Sequence, residues 1–268
     1  FVRDITNPKM GDYITELFYN SILSGPKTHI VNSLTNTMNT IGSPVERGLA
    51  AAVEAPLSAA QKRARDRFFG EVNADFLGAM RGLPEGLRAF GYTVKNGISL
   101  EQASKWEFRP KAFRGKAGRV INMPSTLLEA ADALYKQVNY RAAINATAYR
   151  QVARRGLKGQ ARVDAMADLL EQPSKVLMDE AGRIAENRLF RSEAGDFVQA
   201  LMKARDTVSI GSVKPLRFVI PFLRTPANLL KYGLERSPMG WMNPKLWRNL
   251  AAKDPEAEDF MDSWVGTF

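Results

Sequence analysis

The sequence predicts an all-α protein. Apolar residues recur at helical spacing along the chain, whereas strand signals are nearly absent. The clearest stripe steps by threes and fours and predicts an amphipathic helix of about eight turns, beginning at 122–125 and ending at Gly156. The stripe comprises Leu127, Ala131, Leu134, Val138, Ala142, Asn145, Tyr149 and Val152. We expect an elongated multi-helix assembly with an extended basic arm and a Pro-rich arm.

Two helices open the N-terminal region, residues 1–104. The first runs from near Asp12 to the breaker pair Gly25-Pro26, and Thr28 suits the N-cap of the second helix because its hydroxyl accepts a free amide hydrogen. One side of the second helix is rich in amides and hydroxyls. That side either faces solvent or a polar partner helix, or it forms a subunit interface or a channel lining. It comprises Asn32, Thr35, Asn36, Asn39 and Thr40.

Two further helices complete the N-terminal region. Gly42-Ser43-Pro44 predicts the start of the third, because proline is favoured in the first turn of a helix. This helix is Ala-rich and then basic, which fits either a core helix with a solvated end or a helix in a membrane interface. The fourth helix covers 75–97, and Pro84 predicts a kink or a division within it. The basic end of the third helix holds Lys62, Arg63, Arg65 and Arg67.

A basic segment, residues 105–121, links the N-terminal region to the long helix. Three aromatic residues are interleaved with its cations, and Pro110, Gly115 and Gly118 exclude a long helix. An ordered basic loop of this kind suits phosphate contact with base stacking. It equally suits an arm that anchors its aromatic side chains in a neighbouring subunit. The cations are Lys105, Arg109, Lys111, Arg114, Lys116 and Arg119.

The remainder of the chain divides into two regions. Residues 122–212 predict a central helical bundle, in which shorter helices over 160–171, 174–189 and 193–208 follow the long one. Residues 213–268 predict a Pro-rich extended segment followed by C-terminal helices, the last of them acidic.

Composition narrows the possible classes of protein. The 268 residues carry 38 basic and 28 acidic side chains, a net charge of +10, which favours polyanionic partners. The chain has no cysteine and one histidine, His29, so thiolate chemistry and multi-histidine metal sites are excluded. No apolar run is long enough for a conventional transmembrane helix. The chain does not begin with Met, and we expect it to be processed or part of a longer protein.

No catalytic pattern is recognisable in the sequence. Gly25-Pro26-Lys27-Thr28 lacks the glycine spacing of a phosphate-binding loop, and Pro26 removes an amide donor that such a loop needs. The paired carboxylates lie in hydrophilic stretches, where solvation is the usual state. We assign no catalytic residue, no metal site and no cofactor.

Two short motifs set turn residues and a cation beside an apolar helix. The first is Gly25-Pro26-Lys27-Thr28 within residues 21–34, and the second lies within 218–230. Each is either an anion site at a helix N-terminus or a device that starts a helix, and we favour the helix-start device. The second motif comprises Pro221, Arg224, Thr225, Pro226 and Asn228.

These two blocks resemble segments of the internal virion (ejection) proteins of tailed bacteriophages and of related phage polyvalent proteins. The resemblance implies a protein that is packaged near the portal, oligomerises with itself and with other virion proteins, and leaves the capsid with DNA to help form a conduit through the host envelope. The resemblance makes residues 62–67 and 105–119 the expected contacts with DNA or the envelope. It makes the Ala-rich helix and the 127–152 helix the expected oligomer seams. The alternative is a non-catalytic nucleic-acid-binding module of a larger phage polypeptide, of polymerase or anti-restriction type.

Overall fold

The structure, a computed structural model, describes residues 8–60, 67–99 and 111–189, with a few isolated positions between 200 and 216. Of the described residues, 86% are helical and none lies in a strand. The predicted all-α class is therefore confirmed.

Seven helices are bounded within the described residues. In chain order they are α1 (Met10–Leu23), α2 (Pro26–Ala60), α3 (Gly70–Asn96), α4 (Gly115–Ile121), α5 (Met123–Arg154), α6 (Gly159–Glu171) and α7 (Lys175–Arg188). The predicted helix over 193–208, the Pro-rich segment and the acidic C-terminal helix lie outside the described residues, apart from the isolated positions.

The chain forms two compact units that are not consecutive in sequence. Among the described residues, the first unit holds 8–36, 85–99 and 111–135, and the second holds 37–60, 67–84 and 136–189. Helices α2, α3 and α5 each contribute one segment to both units.

The start of α2 differs from the prediction. Pro26 is the first residue of α2, and the Thr28 amide donates to the Gly25 carbonyl at 3.0 Å. Thr28 therefore lies inside the first turn and is not the N-cap. Proline at the first helical position explains this start, because its missing N–H would have had no partner within the helix.

The predicted break at Gly42-Ser43-Pro44 is absent. A single helix, α2, runs from Pro26 to Ala60 with Pro44 and Pro56 inside it. Likewise α3 continues through Pro84. An internal proline removes one backbone hydrogen bond, so helices of 35 and 27 residues survive only where tertiary contacts compensate for that loss.

The three helices predicted over 122–189 are confirmed. The long helix α5 runs from Met123 to Arg154, and Gly156 adopts a φ of 76° just beyond its end, which is the left-handed conformation typical of a helix stop. Helix α6 and helix α7 match the predicted ranges to within a residue.

The apolar core of the second unit joins α5 and α7. Its fully buried members are small or medium-sized, which allows the helices to approach closely, and Tyr140, Leu169 and Leu170 cover its margin. The buried members are Ala143, Ile144, Ala148, Leu177, Ala181 and Ile184.

Candidate functional site

An exposed apolar surface lies on α2 and α3 within the second unit, and we call it the apolar face. Each of its eight side chains is between 40% and 65% exposed. It comprises Met38, Ile41, Val45 and Leu49 of α2 with Phe76, Leu77, Met80 and Leu83 of α3. An apolar surface of this kind on a folded unit indicates an interaction site.

The side chains that α3 turns inward are small or charged. Ala74 and Asp75 are buried, whereas Phe76 and Leu77 beside them are exposed. The usual arrangement, in which the apolar stripe of a helix faces the core, is therefore reversed in this part of α3. The inward-facing positions are Glu71, Ala74, Asp75, Gly78 and Gly82.

Two glycines allow α3 to approach α5 closely. A Cβ atom at Gly78 would overlap the Arg141 carbonyl oxygen and lie 2.9 Å from Ala142 Cα. A Cβ atom at Gly82 would lie 2.8 Å from Arg141 Cβ. Glycines spaced by four residues fall on one helix face, so the backbones of α3 and α5 meet there without intervening side chains.

In the same unit, five charged residues from four helices, each buried or nearly so, form a cluster that we call the charge cluster. Arg188 makes a bidentate pair with Asp75, at 3.1 Å and 2.8 Å, and Arg150 donates to Glu71 at 3.0 Å. Arg47 bridges the two carboxylates, at 3.4 Å from Glu71 and 3.8 Å from Asp75. Bidentate guanidinium–carboxylate pairs are strong and directional, so the charge cluster fixes how α2, α3, α5 and α7 are placed within the unit.

Burial has an electrostatic consequence at Arg47. Desolvation lowers the pKa of its guanidinium, opposed by the carboxylate of Asp75 and reinforced by the positive charges of Arg188 and Arg150. Glu180 lies 4.0 Å from Arg150 and supplies a third carboxylate at the edge of the cluster. Three cations and three carboxylates thus meet in one region, which limits the cost of burying them.

The amide-rich side of α2 faces other helices of its own chain in the second unit. Asn39 donates to the Arg188 carbonyl oxygen at 3.0 Å, and Asn139 donates to the Thr40 hydroxyl at 3.0 Å. Of the two interpretations of this polar side, the structure shows the polar partner helix at these positions. Asn39 and Thr40 therefore both contact their own chain.

The long helix α5, expected to form an oligomer seam over 127–152, is buried over part of that range. Residues 142–148 are all buried within the second unit. Asn145, the polar member of the stripe, donates to the Arg141 carbonyl oxygen of its own helix at 2.8 Å.

In the first unit, Glu16 of α1 holds the segment that leads into α4. Its carboxylate accepts hydrogen bonds from the backbone amides of Ala112 and Phe113 and from the side-chain amide of Asn122. The side-chain amide of Asn20 donates to Asn122 at 2.9 Å. This polar network ties the described part of the basic segment to its own chain.

The described cations of the basic segment fall into two groups. Lys111 donates to the Thr126 hydroxyl at 2.9 Å, and burial lowers the pKa of its ammonium group, opposed by Glu129 and Glu16. Arg114, Lys116 and Arg119 are exposed. Phe113 packs edge-on against Tyr13 of the same chain, at 5.1 Å between ring centroids, so this aromatic side chain is not anchored in a neighbouring subunit.

Other predicted site residues are only partly described. Arg67 pairs with the buried carboxylate of Glu54 at 3.2 Å, which gives it a structural role. Lys27 is exposed in the first turn of α2. Polyanion binding stays a prediction for the basic residues that were named for it. Lys62, Arg63, Arg65, Lys105, Arg109, Pro221, Arg224, Thr225, Pro226 and Asn228 lie outside the described residues.

Neither the charge cluster nor the glycine contact was predicted from the sequence. Glu71 and Asp75 are four residues apart, as are Gly78 and Gly82, so each pair shares one side of a helix. That spacing was the one feature of the sequence that could have indicated a shared contact surface on α3. The three arginines come from distant parts of the chain, and nothing in the sequence links them.

The described residues include no group of three or more histidine, aspartate or glutamate side chains placed to hold a metal ion. Over the same residues, no helix combines the length and apolar character needed to cross a membrane. The second unit thus combines an exposed apolar face with a buried charge cluster.

Comparisons of the chain with protein-family models, with curated proteins and with solved structures found no match.

Proposed function

We propose that this chain is a structural subunit of a bacteriophage internal virion assembly. The observation that carries the proposal is the apolar face, whose eight half-exposed side chains belong to a unit in which charged side chains are buried and paired. A surface of this size and composition is costly to leave in water and is typical of proteins that work in complexes.

The phage assignment rests on the sequence resemblance of residues 21–34 and 218–230 to ejection proteins. In this proposal the chain is packaged near the portal–tail axis and associates with itself and with portal, tail or other ejection proteins. It is then carried towards the host envelope with the DNA. Its role is structural, without catalysis or a cofactor.

Quantitative mass spectrometry of gradient-purified virions tests the proposal. The chain should be present in many copies per particle, and it should resist added protease until the capsid is opened. After ejection is triggered in vitro, the emptied particles should retain much less of it. A chain found only in infected-cell extract and absent from virions would refute the virion role.

A nucleic-acid-binding helical module is the second candidate. It is favoured by Arg114, Lys116 and Arg119, which are exposed on and beside α4, in a chain of net charge +10. Exposed cations on one short segment suit contact with phosphates and would give salt-dependent binding without sequence preference.

A further inference from the structure

We infer that the apolar face is the docking surface for a second copy of this chain, with the same face of each copy forming the interface. The inference rests on the proposed function and deepens it, because it names the partner and the residues of one contact in the assembly. Symmetric pairing of one surface with itself is the commonest way in which soluble proteins form dimers.

The charge pattern favours an apolar partner. None of the eight positions of the apolar face carries a charged side chain, whereas the interior of the same unit holds the charge cluster. A charged or strongly polar partner would lose hydration against such a surface without gaining hydrogen bonds. A second copy presents a surface of the same chemistry, so neither copy buries an unpaired charge.

The spacing favours a helical partner. The members on α2 occur at 38, 41, 45 and 49, and those on α3 include 76, 80 and 83. Steps of three and four residues build the ridges through which helices interlock with other helices. The apolar face lies on two neighbouring antiparallel helices, α2 and α3. Arg47 of α2 contacts Glu71 and Asp75 of α3, and Glu54, later in α2, contacts Arg67, which precedes α3. Two such pairs can pack as a four-helix layer.

The apolar face is large enough to form the centre of a dimer interface. Its eight side chains are each between 40% and 65% exposed, which together amounts to about four fully exposed large apolar residues. A standard interface buries about 800 Å² on each partner and has an apolar core inside a polar rim. The apolar face supplies such a core.

Sedimentation velocity of the full chain at low and high micromolar concentration tests the inference. The natural chain should dimerise or associate further, and Ile41→Glu and Met80→Glu should each weaken association by about tenfold or more, because each buries a charge in the interface. Val163→Glu is the matched control. Val163 is 58% exposed on α6, outside the apolar face, so this variant should associate like the natural chain.

Thiol cross-linking supplies a test that does not depend on destabilising substitutions. The natural chain has no cysteine, so Ile41→Cys and Met80→Cys each introduce a single reactive thiol. A short bismaleimide should join two copies of either variant into a covalent dimer. Val176→Cys, at a position 72% exposed on α7, should give much less dimer at the same concentration.

Three outcomes would overturn the inference. The first is a full chain that stays monomeric at every concentration. The second is a monomer that floats with phosphatidylcholine–phosphatidylglycerol vesicles and no longer binds them as Met80→Glu, because the face would then be a lipid surface. The third is a monomeric natural chain whose melting temperature falls sharply in Met80→Glu, because another segment of the same chain would then cover the face. None of these outcomes bears on whether the chain is found in virions.

Discussion

At the scale of single residues, the glycine contact between α3 and α5 makes a sharp prediction. Gly78→Ala should destabilise the protein by about 1–3 kcal/mol or more, because the added methyl group would overlap the backbone of Arg141. Urea denaturation followed by circular dichroism measures the change. Gly91 lies in the same helix with open space around it, so Gly91→Ala should instead stabilise by about 0.5–1 kcal/mol. Equal effects of the two variants would refute the close approach.

The charge cluster makes a second prediction at this scale. Asp75→Asn should lower the free energy of unfolding by about 3–5 kcal/mol, because it leaves Arg188 buried without its bidentate partner. Denaturant unfolding of the full chain measures the change.

The control for Asp75→Asn is an ion pair near the surface. Lys136 and Glu186 are 3.4 Å apart and both partly exposed, so Lys136→Ala should cost about 1 kcal/mol or less. If Asp75→Asn were as mild as Lys136→Ala, the charge cluster would not hold the helices of the second unit together.

At the scale of helices, the caps of α2 and α7 make contrasting predictions. Ser174 is the N-cap of α7, and its hydroxyl accepts from the Leu177 amide at 3.2 Å, so Ser174→Ala should cost about 1 kcal/mol. Thr28 lies inside the first turn of α2, so Thr28→Ala should cost clearly less. Thermal melting of both variants compares them, and a larger effect of Thr28→Ala would restore Thr28 as the cap.

The helices themselves were largely predictable from local sequence. Helix α5 has a stripe of threes and fours that only Asn145 interrupts, and it ends at a glycine, while Ser174 marks the start of α7. The failure at Pro44 has a different cause. A proline indicates that one hydrogen bond is missing, but it does not reveal the tertiary contacts around α2 that make the missing bond tolerable.

At the scale of the folded units, the direction in which each helix faces was not predictable. An amphipathic pattern shows that α3 has two different sides, but it does not say which side is buried. Asp75 and Gly78 face inward because Arg188 and the α5 backbone receive them, and those partners lie more than sixty residues away in sequence. Because the small and charged side of α3 is buried, its large apolar side chains are exposed and form part of the apolar face.

The net charge of the whole molecule, +10, leads to the last prediction, which tests the second candidate function. Replacing Arg114, Lys116 and Arg119 together by glutamine should weaken binding to mixed-sequence duplex DNA. It should also flatten the salt dependence by about 0.9 in log–log slope for each phosphate that the variant no longer neutralises. Fluorescence anisotropy across a salt series measures both quantities.

Lys111→Gln is the matched control for the triple variant, since Lys111 belongs to the same basic segment but is half-buried against Thr126. It should leave the salt slope unchanged and lower the melting temperature, because it removes a hydrogen bond inside the first unit. If the triple variant also kept the natural slope, the exposed cations would not bind phosphate. The positive charge of the chain would then act only as a general field around the protein, strongest at low ionic strength and weak at physiological salt.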